Sequence, residues 1–357
     1  MLRNAIIQTV VFIVRFLAGI SSCCRDLIHM GRGRHRLITR DEPGRLEKKP
    51  HYKRAVVIAL YPNDDTLPFT LNLMKGFAAA DFFILGVSTK PLVGEINAHI
   101  GAHCHHIIER FNMGYDFASY QTGLGWIGRQ GFLQGIDTLA IANDSLFYPA
   151  SIADTIKDAV AQNANWTGLF ENFQFHYHVG SFFEIFRTPV FASPLFLQFW
   201  RKYRPFSSRI HAIQQGEVGL TRMLVKAGFV PRIVYARQRI LQAAAARLAE
   251  EGLCSDILSL TPRKQALPEL MQEIDKRAKT LNPTHALGML CNVLLGAPIK
   301  CDISYRANIP IEDVLKYAQG FTREELAAMR RLLNAKGLSS SVPRLSWRGL
   351  KIAAGVM

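Results

Sequence analysis

A chain of 357 residues, 49% hydrophobic and 20% charged, is long enough for one large domain plus a smaller one and too apolar to be disordered or fibrous. Its 43 Lys and Arg outnumber 28 Asp and Glu, and the formal charge of +15 points to anionic partners: phosphorylated small molecules and lipids, or nucleic acid. Six cysteines with no CxxC pair exclude a disulfide-dense scaffold and fit a reducing compartment.

Residues 1–50 read as an amphipathic membrane-associating helix followed by a basic linker. Asn4, Gln8, Arg15 and Ser22 fall on one stripe at helical spacing, and apolar side chains from Ile6 to Ile20 cover most of the rest. The apolar core from Ala5 to Ile20 is interrupted by Gln8 and Arg15 and falls short of the ~20 residues a comfortable span needs, so an interfacial helix fits better. A signal peptide is the rival reading, but no small-x-small cleavage site clearly follows. From Arg25 to Arg54 there are ten Lys/Arg against four Asp/Glu, broken by Pro43, Gly44 and Pro50. Beside an apolar helix, each basic residue near an anionic lipid surface contributes about 1 kcal/mol of attraction.

Residues 51–245 alternate strands with helices, which implies an α/β domain with a mostly parallel sheet and right-handed crossovers. The spacing predicts a strand near Ala55 to Leu60, a helix over LPFTLNLMKGFAAA, a strand at DFFILGVST, a helix at PLVGEINAHIG and a strand at CHHIIER. A helix follows from Tyr115 to Gly131. The apolar run Thr138 to Ala142 then delivers Asn143, Asp144 and Ser145 to its C-terminal end, before Pro149. Ligands of open α/β sheets bind outside such strand ends. A turn capped by these polar side chains is the bland alternative. Ser151 and Asp154 suit the start of the next helix, HVGSFFEIFR reads as a strand, and Glu217 to Phe229 as a helix closed by Gly228. From 246 to 357 the pattern is helical, and Thr322 with Glu325 has capping-box spacing ahead of a helix expected to stop at Gly337.

The segments NMGYDFASYQTGL, IANDSLFYP, HVGSFFEIFR, EVGLTRMLVKAGF and LNPTHALGMLCNVLLGAPIKCDISYRANIP together resemble the rhamnan synthesis protein F family of bacterial polysaccharide-assembly proteins, over about residues 52–315. That family is similar to family 2 glycosyltransferases. The resemblance implies an A-type glycosyltransferase fold, Rossmann-like, and transfer of a sugar such as rhamnose or another deoxyhexose from a nucleotide-diphosphate donor. The acceptor it implies is a lipid-linked or growing glycan. It places the protein peripherally on the cytoplasmic face of the bacterial inner membrane, held by residues 1–54, with a polysaccharide-assembly complex as partner.

Residue by residue, the resemblance puts a nucleotide-bound Mg or Mn ion at Asp144, with Asn143 and Ser145 as weaker oxygen ligands where the family 2 motif has two aspartates. It makes Glu217 the base of an inverting displacement, although Val218 stands where a second acid would be. The turn residues Arg110, Asn112 and Asp116, together with Asp64, Asp65 and Arg222, become candidates for contacts to the nucleotide, its ribose or its phosphates. His176 and His178, two apart on an expected strand, share a face. Trp166 and Tyr148 are candidate platforms for a sugar ring.

Two other functions compete. The single carboxylate of Asn-Asp-Ser favours a catalytically silent scaffold of an assembly complex. The charge suggests nucleic acid, but the basic stretch has no interleaved aromatics and the chain carries no nucleic-acid-binding signature, so no nucleic-acid partner is expected.

Overall fold

The computed structural model describes residues 21, 23–162, 164–174, 176–251, 267–307 and 309–335. The apolar arm at 1–20, the tail from 336 and the expected stop at Gly337 lie outside the described residues.

The strands in chain order are β1 (Ile38–Pro43), β2 (Arg54–Leu60), β3 (Phe82–Ser88), β4 (His106–Arg110), β5 (Thr138–Asn143), β6 (Leu146–Phe147), β7 (Trp166–Gly168), β8 (Glu171–Asn172), β9 (His178–Val179), β10 (Phe183–Arg187), β11 (Arg232–Ile233) and β12 (Ile299–Lys300). Eight of them form one sheet in the order β1-β4-β3-β2-β5-β10-β7-β11. The pairings from β4 to β5 are parallel, as alternation of strand and helix predicts, while β1 and β10 run antiparallel to their neighbours.

The helices that matter below are α1 (Leu67–Ala79), α2 (Gly94–His103), α3 (Tyr115–Arg129), α4 (Ile152–Ala161), α5 (Pro194–Lys202), α6 (Val218–Lys226), α7 (Arg237–Glu251), α8 (Leu267–Thr280), α9 (Gly288–Leu295) and α10 (Arg323–Ala335). They cover both faces of the sheet. Val56, Ile58 and Leu60 of β2 face a core filled from α1, α4 and α8 by Phe69, Leu73, Ile156 and Ile274. Ala55, Val57 and Ala59 face the opposite core, filled from α3, α5 and α6 by Phe117, Tyr120, Trp200, Leu220 and Leu224. Burial on two sides is why β2, β3 and β5 read as unbroken apolar runs rather than alternating ones.

The C-terminal helices share the first of these cores. Thr322 and Glu325 exchange the reciprocal capping bonds their spacing predicts, Glu325 N–H to Thr322 Oγ1 at 3.2 Å and Thr322 N–H to Glu325 Oε2 at 2.8 Å. Glu325 also accepts from Asn72 of α1 at 2.6 Å, which ties α10 to the sheet domain. The basic stretch is more ordered than its prolines suggest, since residues 38–43 add β1 to the sheet edge. Ser151 occupies the N-cap of α4 without making a side-chain cap bond. Among the described residues no helix is long and apolar enough to cross a membrane.

Candidate active site

The sheet places the first predicted residues before any side chain is considered. Strand order runs β4-β3-β2 in one direction and β2-β5 in the other, so the reversal lies between β2 and β5. Crevices for ligands open at such reversals, beyond the carboxyl ends of the strands. Tyr61 leaves β2 there and Asp144 leaves β5, and the Tyr61 N–H donates to Asp144 Oδ2 at 2.6 Å. Asp144 is half-buried and lines a cleft of about 1880 Å³ that Asp116, Ser145, Glu217 and Lys300 also line. Single small ligands occupy roughly 300–1,000 Å³, so this cleft has room for two reactants.

Asn143 is the hub beneath that floor. Its Oδ1 accepts from the Ser145 N–H at 3.1 Å and Ser145 Oγ at 2.6 Å, while its Nδ2 donates to Asp116 Oδ2 at 2.7 Å. Asp116 itself is delivered by a strained turn. Gly114 and Tyr115 both adopt left-handed backbone, with φ of 82° and 51°. A Cβ on Gly114 would meet Pro205 Cβ at 2.4 Å, so glycine is required there on two counts. Burial pushes the Asp116 carboxyl up to about 6; Lys300 draws it down, Glu217 raises it and the Asn143 amide lowers it.

Glu217 reaches the cleft from the opposite core. The sequence predicts a helix beginning at this residue, with the helix dipole as the bland reason for an acid there. The structure corrects that: a turn at Arg209–His211, capped by Ser208, and a π-helical turn at Ala212–Glu217 run directly into α6. Glu217 therefore lies inside a helix, away from its positive end, and other groups hold its carboxylate. Ser181 donates to Oε1 from its N–H at 3.2 Å and its Oγ at 2.9 Å, and His178 Nε2 lies 3.7 Å from Oε2. The π turn is possible because Gly216 packs on Phe117, whose ring a Cβ would meet at 2.6 Å.

The remaining predicted residues are dispersed. Asp64 and Asn112 are exposed, and Arg222 is exposed on α6. Asp65 pairs with Arg331 of α10 at 2.7 Å. Arg110 is buried and donates to the carbonyls of Met113 at 2.8 Å and His35 at 3.3 Å; burial pushes its guanidinium down to about 10. None of these five lines the cleft. His176 and His178 do not share a strand face, because β9 begins at His178 and His176 is exposed ahead of it; the His176 carbonyl accepts from His178 Nδ1 at 2.7 Å.

Trp166 and Tyr148 are not platforms for a sugar, because both are fully buried. Trp166 donates to Glu184 at 2.7 Å inside the core, where burial holds that carboxyl well above the usual range. The Tyr148 hydroxyl lies 3.0 Å from the carbonyls of Asn143 and Phe182, bracing the strand end from below.

Three groups of the cleft escape a reading of the sequence. Strand β12 pairs antiparallel with β6, with Lys300 opposite Leu146, and this brings Lys300 Nζ to 2.7 Å from Ser145 Oγ and 4.8 Å from the Phe182 ring centre. Asp302 follows at once, accepting from His285 Nε2 at 2.8 Å and Arg306 Nε at 3.1 Å. Burial pushes its carboxyl up, but His285 and the nearby cations outweigh that and hold it well below the usual range. Ser181 is the third. The available signal was their lying within segments of the family resemblance, Ser181 in HVGSFFEIFR and Lys300 and Asp302 in residues 281–310.

The expected metal ligands do not fit a resident divalent ion, which needs several oxygens converging on one point. Asn143 turns both ends of its amide inward, and the Ser145 hydroxyl faces an ammonium. Among the described residues no group of three or more His, Cys, Asp or Glu side chains is placed to hold a metal.

A protein from Desulfovibrio desulfuricans G20 whose name classes it as a nucleotide-diphospho-sugar transferase is 11% identical, covers 65% of this chain and all of its own, and superposes with a TM-score of 0.33. The mannosyltransferase PcManGT of Pyrobaculum calidifontis, solved with GDP-Man and Mn2+, is 9% identical over 98% of this chain and 97% of its own, with a TM-score of 0.31. The uncharacterized protein y4gN of Sinorhizobium fredii is 25% identical over 201 residues, 55% of this chain, and the chain spans about half (52%) of that relative's length. Residues 84–246, the stretch carrying Asp116, Asp144 and Glu217, match the family model described as rhamnan synthesis protein F.

Proposed function

We propose that this protein is a glycosyltransferase that moves a sugar, a deoxyhexose such as rhamnose on the strength of the family name, from a nucleotide-diphosphate donor to a lipid-linked or growing surface glycan. The single observation that supports this most is that Asp144, at the end of β5, and Glu217, from the helices packed on one face of the sheet, line one cleft at the strand-order reversal. The family match over 84–246 agrees with it.

In this reading the donor diphosphate lies at the Asp144 and Lys300 end, and Asp116 meets a hydroxyl of the ribose or sugar. Glu217 takes the proton of the acceptor hydroxyl. The acceptor oxygen then bonds to the anomeric carbon as the bond from that carbon to the phosphate oxygen breaks, which inverts the centre. Ser181 holds Oε1 of Glu217, so the base is oriented before the acceptor arrives. The protein works peripherally on the cytoplasmic face of the membrane, drawn there by its basic N-terminal stretch.

The test is release of nucleoside diphosphate from a panel of nucleotide sugars by the full chain, run beside thermal melts with each nucleoside diphosphate, on the parent protein and on Asp144→Ala. A donor that is turned over and raises the melting temperature by mass action, with loss of both in the variant, is the expected result. Absence of binding and turnover across the panel overturns the assignment.

A further inference from the structure

Lys300 is in an unusual position for a lysine. It is half-buried, its ammonium donates to one neutral hydroxyl, that of Ser145, and it lies over the Phe182 ring. Among the described residues it forms no ion pair. An ammonium that has surrendered part of its water, with Asp116 and Asp302 acting on it only from beyond ion-pair distance, is incompletely compensated in the free protein, and an aromatic face offsets only part of that cost. The arrangement is at its most stable when an anion occupies the space the ammonium faces.

Its surroundings specify where that anion lies. Lys300 is fixed by the pairing of β12 with β6, immediately past the end of β5, so its nitrogen stands over the strand end that carries Asp144 and Ser145. Resident metal ligands do not converge there, as the inward turn of Asn143 shows. A fixed cation is therefore present where a transferase of this kind needs positive charge.

We propose that Lys300 is the cation that neutralises the departing diphosphate, so that this cleft transfers sugar without a divalent metal ion. The inference rests on the transferase reading and names the group that serves its leaving side. As the bond between the anomeric carbon and the phosphate oxygen breaks, the electron pair stays on that oxygen and the added charge develops against the ammonium, while the acceptor proton goes to Glu217. Ser145 positions the ammonium by accepting one of its three protons.

The experiment is calorimetric titration of the full chain with UDP, GDP, dTDP and CDP and with their parent nucleosides, in EDTA and again in MnCl2, on the parent protein, Lys300→Met and Lys300→Arg. The expected result is that one diphosphate binds in EDTA within about threefold of its affinity in Mn2+, and that K300M weakens it about tenfold or more while leaving the nucleoside unchanged. K300R, which keeps the charge and tolerates the same pairing, retains metal-free binding to within about fivefold, so a misfolded K300M does not leave the question open. Binding that requires Mn2+, or equal affinity in the parent and a folded K300M, overturns this proposal and leaves the transferase reading standing. No diphosphate binding under either condition overturns both.

Discussion

Lys300 and Ser145 are 155 positions apart, yet the lysine ammonium reaches the serine hydroxyl at 2.7 Å. From there a continuous line of hydrogen bonds runs through Asn143 to Asp116. The cation and the half-buried acid of the cleft are thus two ends of one polar network.

Replacing Glu217 by Gln preserves the shape of the side chain and an oxygen for Ser181 to bond, but removes the proton acceptor. Transfer is expected to fall about 10²–10⁴-fold, with diphosphate affinity within about twofold of the parent. Single-turnover rates beside calorimetric titration check the split. A loss of affinity equal to the loss of rate would remove Glu217 from its role.

Asp116 gives a pH dependence with a defined sign. Its carboxyl has an ordinary value of 3.8 and is pushed by burial up to about 6. Between those values the folded protein holds a proton that the unfolded chain has lost, so stability falls as pH rises through this window, and the penalty is complete above pH 6. Asp116→Asn abolishes the slope and raises stability at pH 7 by about 1–3 kcal/mol. Urea midpoints at pH 4.5 and pH 7 measure it.

Asn143→Ala removes the hub and leaves Asp116 Oδ2 and the Ser145 N–H without their partner. We expect a loss of about 2–4 kcal/mol in urea unfolding together with weaker diphosphate binding. A stable variant with parental affinity would show that the network does not organise the site.

Gly216→Ala pushes a Cβ to 2.6 Å from the Phe117 ring. Repacking should cost about 1–3 kcal/mol and displace Glu217, so kcat falls while diphosphate affinity holds. Thermal melts and steady-state kinetics read the two effects separately.

Much of the sheet was legible because its strands are buried on both faces, which leaves an unmistakable apolar run at Ala55–Leu60 and again at Thr138–Ala142. Asp144 was legible for the same reason, being the first acid beyond such a run. The helix of Glu217 was misjudged at its start because a π turn containing Gly216 has no periodicity that a 3.6-residue template detects. Tyr148 and Trp166 looked accessible from their polar neighbours, but those neighbours sit at strand ends while the rings turn inward. Lys300 was out of reach, since only the pairing of two-residue strands β6 and β12 joins it to the cleft, and pairings that short leave no pattern in sequence.

Pairing of β12 with β6 sets how firmly the cleft keeps its cation. The family match ends at residue 246, whereas the lysine that completes the cleft arrives from residue 300, on a piece of chain beyond it. A two-residue ladder is a slight tether, so local opening of this later segment withdraws the ammonium from the cleft while the long pairings of β2 with β3 and β5 stay closed.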